Sequence, residues 1–169
     1  MNTNLVSVTA ISLALLLDNA PARKETPLAH PPGVSQASDV RHLKRTSQSG
    51  ISYPLRAVIW DSAAFRELWR RATSSRYDTA SVPPVDFDRF MIVVAAMGLR
   101  PMLDGDIRIE SVDRTGAVVR VRVTMNVLQD GCTLGAVAGY PLDIVQVPRS
   151  KAYDVIAFVE EYRPERCKR

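Results

Sequence analysis

The apolar run Phe90–Met97, FMIVVAAM, constrains the architecture more than any other part of the sequence. It is rich in Val and Ile, carries no charged side chain and stops at Gly98. β-branched residues favour strands, and a strand without an alternating polar face has to be buried on both sides. The run therefore predicts a central strand within a hydrophobic core.

Upstream of this run, the sequence predicts a strand followed by a helix. Leu55–Trp60 is mostly apolar and compatible with a strand, and either Asp61 or Ser62 can cap the helix that follows. The next apolar residues have the i, i+3, i+4, i+7 spacing of one helix face: Phe65, Leu68, Trp69 and Ala72. This is the principal helix of the chain.

Downstream, four more strands are predicted. Asp106–Asp113 and Ala117–Met125 flank a turn that contains Gly116, and Leu142–Val147 and Val155–Tyr162 are further apolar runs. Runs of strands with one helix covering a face indicate an α+β fold. We therefore predict a single domain with a mainly antiparallel sheet of about five or six strands and one helix packed on it.

The first part of the sequence looks like a secretion signal. Leu5–Leu17 is almost entirely apolar, and Ala20 and Ala22 supply the small residues of a cleavage site. The run is too short for a transmembrane helix, which needs about 20 residues. We expect residues 1–22 to be a signal peptide, with no membrane span and a secreted or periplasmic product.

Residues 23–50 are predicted to be a disordered linker, and residues 51–169 to be the folded domain. The segment Arg23–Ser49 holds three prolines, many polar residues and no periodicity of 2 or 3.6. The chain has 22 Lys and Arg against 18 Asp and Glu, a net charge of +4, and basic residues crowd both ends. Such ends are typical of solvated arms.

Several kinds of chemistry have little support in the sequence. The two histidines, His30 and His42, both fall in the predicted linker, where no packed shell would hold a catalytic base. No phosphate-binding glycine motif and no Cys/His cluster is present, so we predict no cofactor and no metal. The strand arginines Arg108, Arg120 and Arg122 are read as a solvated face, so no nucleic acid is expected either.

The two cysteines, Cys132 and Cys167, follow the predicted signal peptide. An even count in an exported protein favours a disulfide between them, and two free thiols are the alternative.

Several short motifs, in this order, resemble the C-terminal domain of the PrcB family of protease-complex subunits. They are Phe65-x-x-x-Trp69, Val85-Asp86-Phe87, Val93-Val94, Gly98-Leu99-Arg100-Pro101, Ile107-x-Ile109-x-x-Val112, Gly131-Cys132, Pro141-Leu142-Asp143-Ile144-Val145 and Val147-Pro148. The resemblance covers about Ile51 to Cys167. It implies a bacterial envelope or secreted protein that associates with a protease and stabilises it, without catalysis. In relatives a Thr-Gly-Gly-Tyr type loop stands where this chain has Met102-Leu103-Asp104-Gly105.

From these observations we predict a non-catalytic protein-binding domain whose partner is a protein, with a secreted protease as the class that the resemblance implies. The predicted contact surface is the loop from Gly98 to Asp106 with the adjacent sheet edge. Its candidate binding residues are Gly98, Arg100, Pro101, Met102, Leu103 and Asp104. Two alternatives remain: a small protease inhibitor, and an envelope protein that binds a small apolar ligand in a pocket lined by Trp69. The sequence does not specify an oligomeric state.

Overall fold

A computed structural model describes residues 36–74, 80–101, 105–129, 137–151 and 154–166 of the chain. The predicted signal peptide, residues 1–22, lies outside these described residues. The described chain contains one helix, α1, Ser62–Ala72. Its strands are β1 Gln36–Ser38, β2 Arg41–Thr46, β3 Pro54–Ile59, β4 Phe90–Met97, β5 Gly105–Thr115, β6 Val118–Leu128, β7 Leu142–Pro148 and β8 Val155–Glu165.

The strands form two four-stranded sheets. Sheet A has the order β1-β5-β6-β8, and sheet B has the order β2-β7-β4-β3. Every pair is antiparallel except β6 with β8, which run parallel. The α+β class, the single domain and the mainly antiparallel pairing are confirmed. The described strands number eight and form two sheets, where the sequence predicted about five or six in one.

The central strand β4 shows why the molecule has three layers. Its odd-numbered residues, such as Val93, pack with β5, β6 and β7 into a core between the two sheets. Its even-numbered residues, such as Val94, pack with β7 and α1 into a second core beneath the helix. Because side chains alternate along a strand, one continuous apolar run supplies both cores. The prediction of a strand buried on both faces is confirmed.

The helix forms where its periodicity predicts. Asp61 is the N-cap, and its Oδ1 accepts hydrogen bonds from the N–H groups of Ala63 and Ala64 at 2.9 and 2.8 Å. These bonds satisfy donors that the first turn would otherwise leave unpaired. On the inner face, Phe65 and Trp69 are buried edge to face, with ring centroids 5.6 Å apart.

The predicted disordered linker is wrong for residues 36–50. Strand β1 pairs with β5, and β2 pairs with β7 through residues such as Arg41 opposite Gln146. Both β1 and β2 lie at sheet edges, where one flank of the strand needs no neighbour. A polar sequence is compatible with that position, so the lack of an apolar pattern did not exclude a strand.

The two long sides of the sandwich differ, and we name them here. On the closed side the sheets end in the edge strands β1 and β2, and β5 approaches β7. On the open side the sheets end in the edge strands β3 and β8. A charged pair between Arg56 of β3 and Glu160 of β8 spans that side. The candidate site lies at one end of the open side.

Candidate functional site

The predicted binding loop begins at a glycine that the fold requires. Gly98 has φ +76°, a left-handed conformation that other residues rarely adopt. A Cβ at this position would also come within 2.8 Å of the backbone of Tyr53 and Pro54. The turn after β4 therefore packs directly against the start of β3, and Gly98 acts as a structural residue.

The next residues of this loop are held by backbone hydrogen bonds. The N–H of Leu99 donates to the carbonyl of Ser52 at 3.0 Å. Arg100 and Gly139 exchange two N–H to carbonyl bonds of 2.8 Å, which form an isolated antiparallel bridge. Pro101 follows and is exposed. The predicted contact residues Met102, Leu103 and Asp104 lie outside the described residues.

Arg100 lines a groove of about 430 Å³ at the end of the open side. The groove is lined by the start of β3, the last residues of β4, and the C-terminal halves of β6 and β8. Its lining is mainly apolar, and the polar members are two arginines, a glutamate and a tyrosine. The lining residues are Pro54, Leu55, Arg56, Ala96, Met97, Arg100, Met125, Val127, Glu160 and Tyr162. A volume of several hundred Å³ is that of a typical binding site.

One wall of the groove is the pair that joins the two sheets. Nε of Arg56 lies 2.6 Å from Oε1 of Glu160. The same guanidinium donates to the carbonyls of Leu55 and Ala96, both at 2.7 Å. Since the Arg56 side chain is 19% exposed, these bonds hold it in one orientation at the edge of the core.

Large apolar side chains are exposed on and beside the groove. Tyr162 lines it and is 67% exposed. Tyr53 and Leu99, next in sequence to lining residues, are 47% and 53% exposed, and Val137, two residues before Gly139, is 53% exposed. Tyr162 is therefore an exposed apolar side chain of the groove itself, and the other three are exposed close to it in sequence or through the bridge of Arg100 with Gly139.

The expectation that no packed shell holds a histidine is wrong for His42. Its Nδ1 lies 2.9 Å from Oδ1 of the fully buried Asp143 on β7, whose other oxygen accepts the N–H of Ile109 on β5 at 2.8 Å. Burial raises the pKa of Asp143 above its usual value, and the bonds from Ile109 and His42 partly oppose that shift. In the described residues, no hydroxyl is hydrogen-bonded to the ring of His42. Through these contacts Asp143 on β7 joins β2 and β5.

Other polar residues singled out in the sequence have structural contacts. Oδ1 of Asp86 accepts the N–H of Asp88 at 3.0 Å, which is a turn. Asp106 pairs with Arg45 on the closed side. Arg108 lies 3.3 Å from Glu110, as expected for a solvated strand face. In the chain as described, no group of three His, Cys, Asp or Glu side chains could hold a metal ion.

Apolar residues of β4 and β7 pack beneath the helix. Trp69 is buried against Phe65, and its indole N–H donates to the carbonyl of Ala80 at 2.9 Å. This packing does not favour an apolar ligand bound next to Trp69. Cys132 and Cys167, which the sequence predicts to form a disulfide, lie outside the described residues.

The sequence interpretation missed the groove residues contributed by other strands, above all Arg56, Glu160 and Tyr162. They are far apart in sequence, and only the packing of sheet A on sheet B brings them together. One signal was available. Arg56 interrupts an otherwise apolar strand at a position that alternation assigns to the core, and a charge at such a position indicates a partner or an edge.

Comparison with known proteins adds no relative. No family model matches the chain, no curated protein sequence matches it, and no solved structure has a significantly similar fold. The resemblance to the PrcB family therefore stays a prediction. Within the described residues, no helix combines the length and the apolar character needed to cross a membrane.

Proposed function

We propose that this chain is an exported, non-catalytic domain that binds another protein at the groove end of its open side. The observation that carries the proposal is a groove with a mainly apolar lining that includes the exposed Tyr162, next in sequence to the exposed Tyr53 and Leu99. Export is inferred from the apolar run and cleavage pattern of residues 1–22. A secreted protease is the partner class that the motif resemblance favours.

The anchoring of the loop supports a binding role. The conformation of Gly98 and the two hydrogen bonds between Arg100 and Gly139 fix both ends of the short segment that contains the exposed Leu99. A surface that is already ordered loses less conformational entropy on binding. Arg100 also provides a planar group that can pair with a carboxylate of a partner through two hydrogen bonds.

The proposal can be tested by crosslinking in living cells. A photoreactive amino acid is placed at Leu99, and a matched variant carries it at Arg66, which is exposed on α1. We expect one protein to be captured repeatedly at Leu99 and not at Arg66. Equal capture at both positions, or none at Leu99, would contradict the proposed surface.

A second assay separates the roles that a protease partner would allow. The captured protease is incubated with the purified domain, and its activity is followed over time. A stabilising subunit prolongs activity, whereas an inhibitor reduces the initial rate. Turnover of a substrate by the purified domain alone would contradict the non-catalytic assignment.

A further inference from the structure

A second recess, of about 240 Å³, lies at the opposite end of strands β4 and β6 from the groove. It is bounded by the start of β4, the ends of β5 and β6 that meet at their turn, and the end of β7. Its base is formed by Met91, Val112 and Val119, which are at most 2% exposed, so a bound group would meet mainly polar side chains. The polar residues of the lining are Arg114, Arg149 and Ser150.

The guanidinium of Arg149 is held in place by the protein although its side chain is exposed. Its Nη1 donates to the carbonyl of Trp60 at 3.0 Å and to the carbonyl of Phe87. The group also lies 5.5 Å from the centre of the Trp60 ring, and the backbone N–H of Arg149 donates to the carbonyl of Arg89 at 2.8 Å. A donor that is already oriented loses less conformational entropy when it binds a ligand.

The remaining edge of this guanidinium is suited to an anion. Among the described residues, only Nη1 of its three nitrogens has a hydrogen-bond partner, and no carboxylate pairs with Arg149. The N–H groups of Nε and Nη2 point in parallel and match two oxygens of a carboxylate or a phosphate. Arg149 therefore presents two oriented donors and a positive charge at the recess.

The hydroxyl of Ser150 adds a third donor. Ser150 is 7% exposed, and its Oγ lies 3.6 Å from Sδ of Met91. A thioether sulfur is a weak acceptor, and a buried hydroxyl gains free energy from a stronger one. An anion oxygen in the recess would be such an acceptor.

The charged side chains around the recess have a positive sum. Nη2 of Arg114 lies 3.1 Å from the carboxylate of Asp154, which also accepts the N–H of Lys151 at 2.9 Å. Asp154 therefore balances the charge of Arg114, and Arg149 leaves the group of three with one net positive charge. That charge attracts an anion and adds to the directed hydrogen bonds.

We propose that this recess binds a single oxyanion group, a carboxylate or a phosphate, between the guanidinium edge of Arg149 and the hydroxyl of Ser150. The recess is smaller than the sites of about 300–1,000 Å³ that hold drug-sized ligands, so it suits one small group. The site is separate from the groove, so it neither depends on the proposed function nor replaces it.

Inorganic phosphate and acetate are the probes. Each is titrated into the purified, ¹⁵N-labelled protein at a constant ionic strength of about 0.1 M, with chloride as the control anion. NMR follows the side-chain Nε–H of Arg149 and the backbone N–H of Ser150. We expect at least one of the two oxyanions to shift both signals saturably, with a Kd on the order of 1 mM, and chloride to shift neither.

Two variants test the donors separately. Arg149→Lys keeps the charge but lacks the two parallel N–H groups, so we expect the Kd of the oxyanion to weaken about tenfold. Arg120→Lys, on the exposed face of β6, is the matched control and should bind as the original protein does. Ser150→Ala removes only the hydroxyl and should weaken the Kd about threefold.

A glutamate capped at both ends distinguishes the sources of the anion. Tighter binding of this compound than of acetate would assign the anion to an acidic side chain of another protein, and equal or weaker binding would assign it to a free small molecule. Both outcomes retain the site. Equal shifts with phosphate, acetate and chloride, or no saturable shift with either oxyanion, would overturn the proposal. Equal affinity in Arg149→Lys and Arg120→Lys would overturn it as well.

Discussion

The closed and open sides of the sandwich join the same two sheets in different ways. On the closed side, the buried carboxylate of Asp143 binds groups from β2 and β5, and Arg45 pairs with Asp106 outside it. On the open side, Arg56 and Glu160 form the cross-sheet contact, and beyond them is a groove instead of packed side chains. The two sides therefore differ in their chemistry: a buried carboxylate joins three strands on the closed side, and a mainly apolar groove lies beside the charged pair on the open side.

The largest loss of stability should come from Asp143→Ala on the closed side. The substitution leaves the N–H of Ile109 buried without an acceptor and removes the partner of His42, which costs about 2–3 kcal/mol of unfolding free energy. Urea unfolding measures the change. Asp88→Ala, at an exposed turn, is the control and should shift stability by less than about 0.5 kcal/mol. Equal loss in both variants would contradict the role of Asp143.

A smaller loss is expected on the open side from Arg56→Ala. The carbonyls of Leu55 and Ala96 lose their guanidinium donor, but water can reach the groove, so we expect a cost of about 1–2 kcal/mol. Arg120→Ala, on the exposed face of β6, is the matched control. If Arg56→Ala destabilised the domain more than Asp143→Ala, the distinction between the two sides would be wrong.

The exposed pair on the closed side should matter less. Arg45 and Asp106 have side chains that are 41% and 36% exposed, so water and salt screen their attraction. We expect Arg45→Ala to cost about 0.2–1 kcal/mol. A double-mutant cycle with Asp106→Ala isolates the pair, and its coupling should shrink in 1 M salt. Coupling that is insensitive to salt would contradict the exposed geometry.

The smallest expected effect is the pH dependence of the stability that Asp143 contributes on the closed side. Burial raises the folded-state pKa of Asp143 above the unfolded value of about 3.9, so the folded state holds the proton longer than the unfolded chain does. Its contribution to stability therefore falls as pH rises through that window. The variant Asp143→Asn has no carboxyl group at this position and should not show the fall. Urea unfolding of both proteins from pH 3 upward should show the original protein losing stability relative to the variant as pH rises. A gain in relative stability would contradict the raised pKa.

The elements with local patterns could be predicted from the sequence. The run Phe90–Met97 gave a strand buried on both faces, the spacing from Phe65 to Ala72 gave α1, and Gly116 marked the turn between β5 and β6. In each case the signal lies within a few residues of the structure that it specifies. Strand β2 had no such signal, because its pairing with β7 depends on residues about 100 positions away.

The candidate site was only partly predictable for the same reason. Gly98, Arg100 and Pro101 belong to one loop whose glycine and proline indicate a turn. The rest of the groove comes from β3, β6 and β8, which meet only because the strands divide into two sheets. Alternation along a strand shows which residues face a core, but it does not show which strand lies opposite.

The parallel pairing of β6 with β8 also affects the order in which the domain can fold. Between these strands the chain crosses to sheet B to form β7, so β8 can dock on β6 only after a long excursion. Such non-local pairing slows folding, and we expect docking of β8 to be a late step. Until β8 docks, β6 is an edge strand of sheet A, and its backbone groups can pair with a strand of another chain. The folding intermediate is therefore more prone to misassociation than the folded domain.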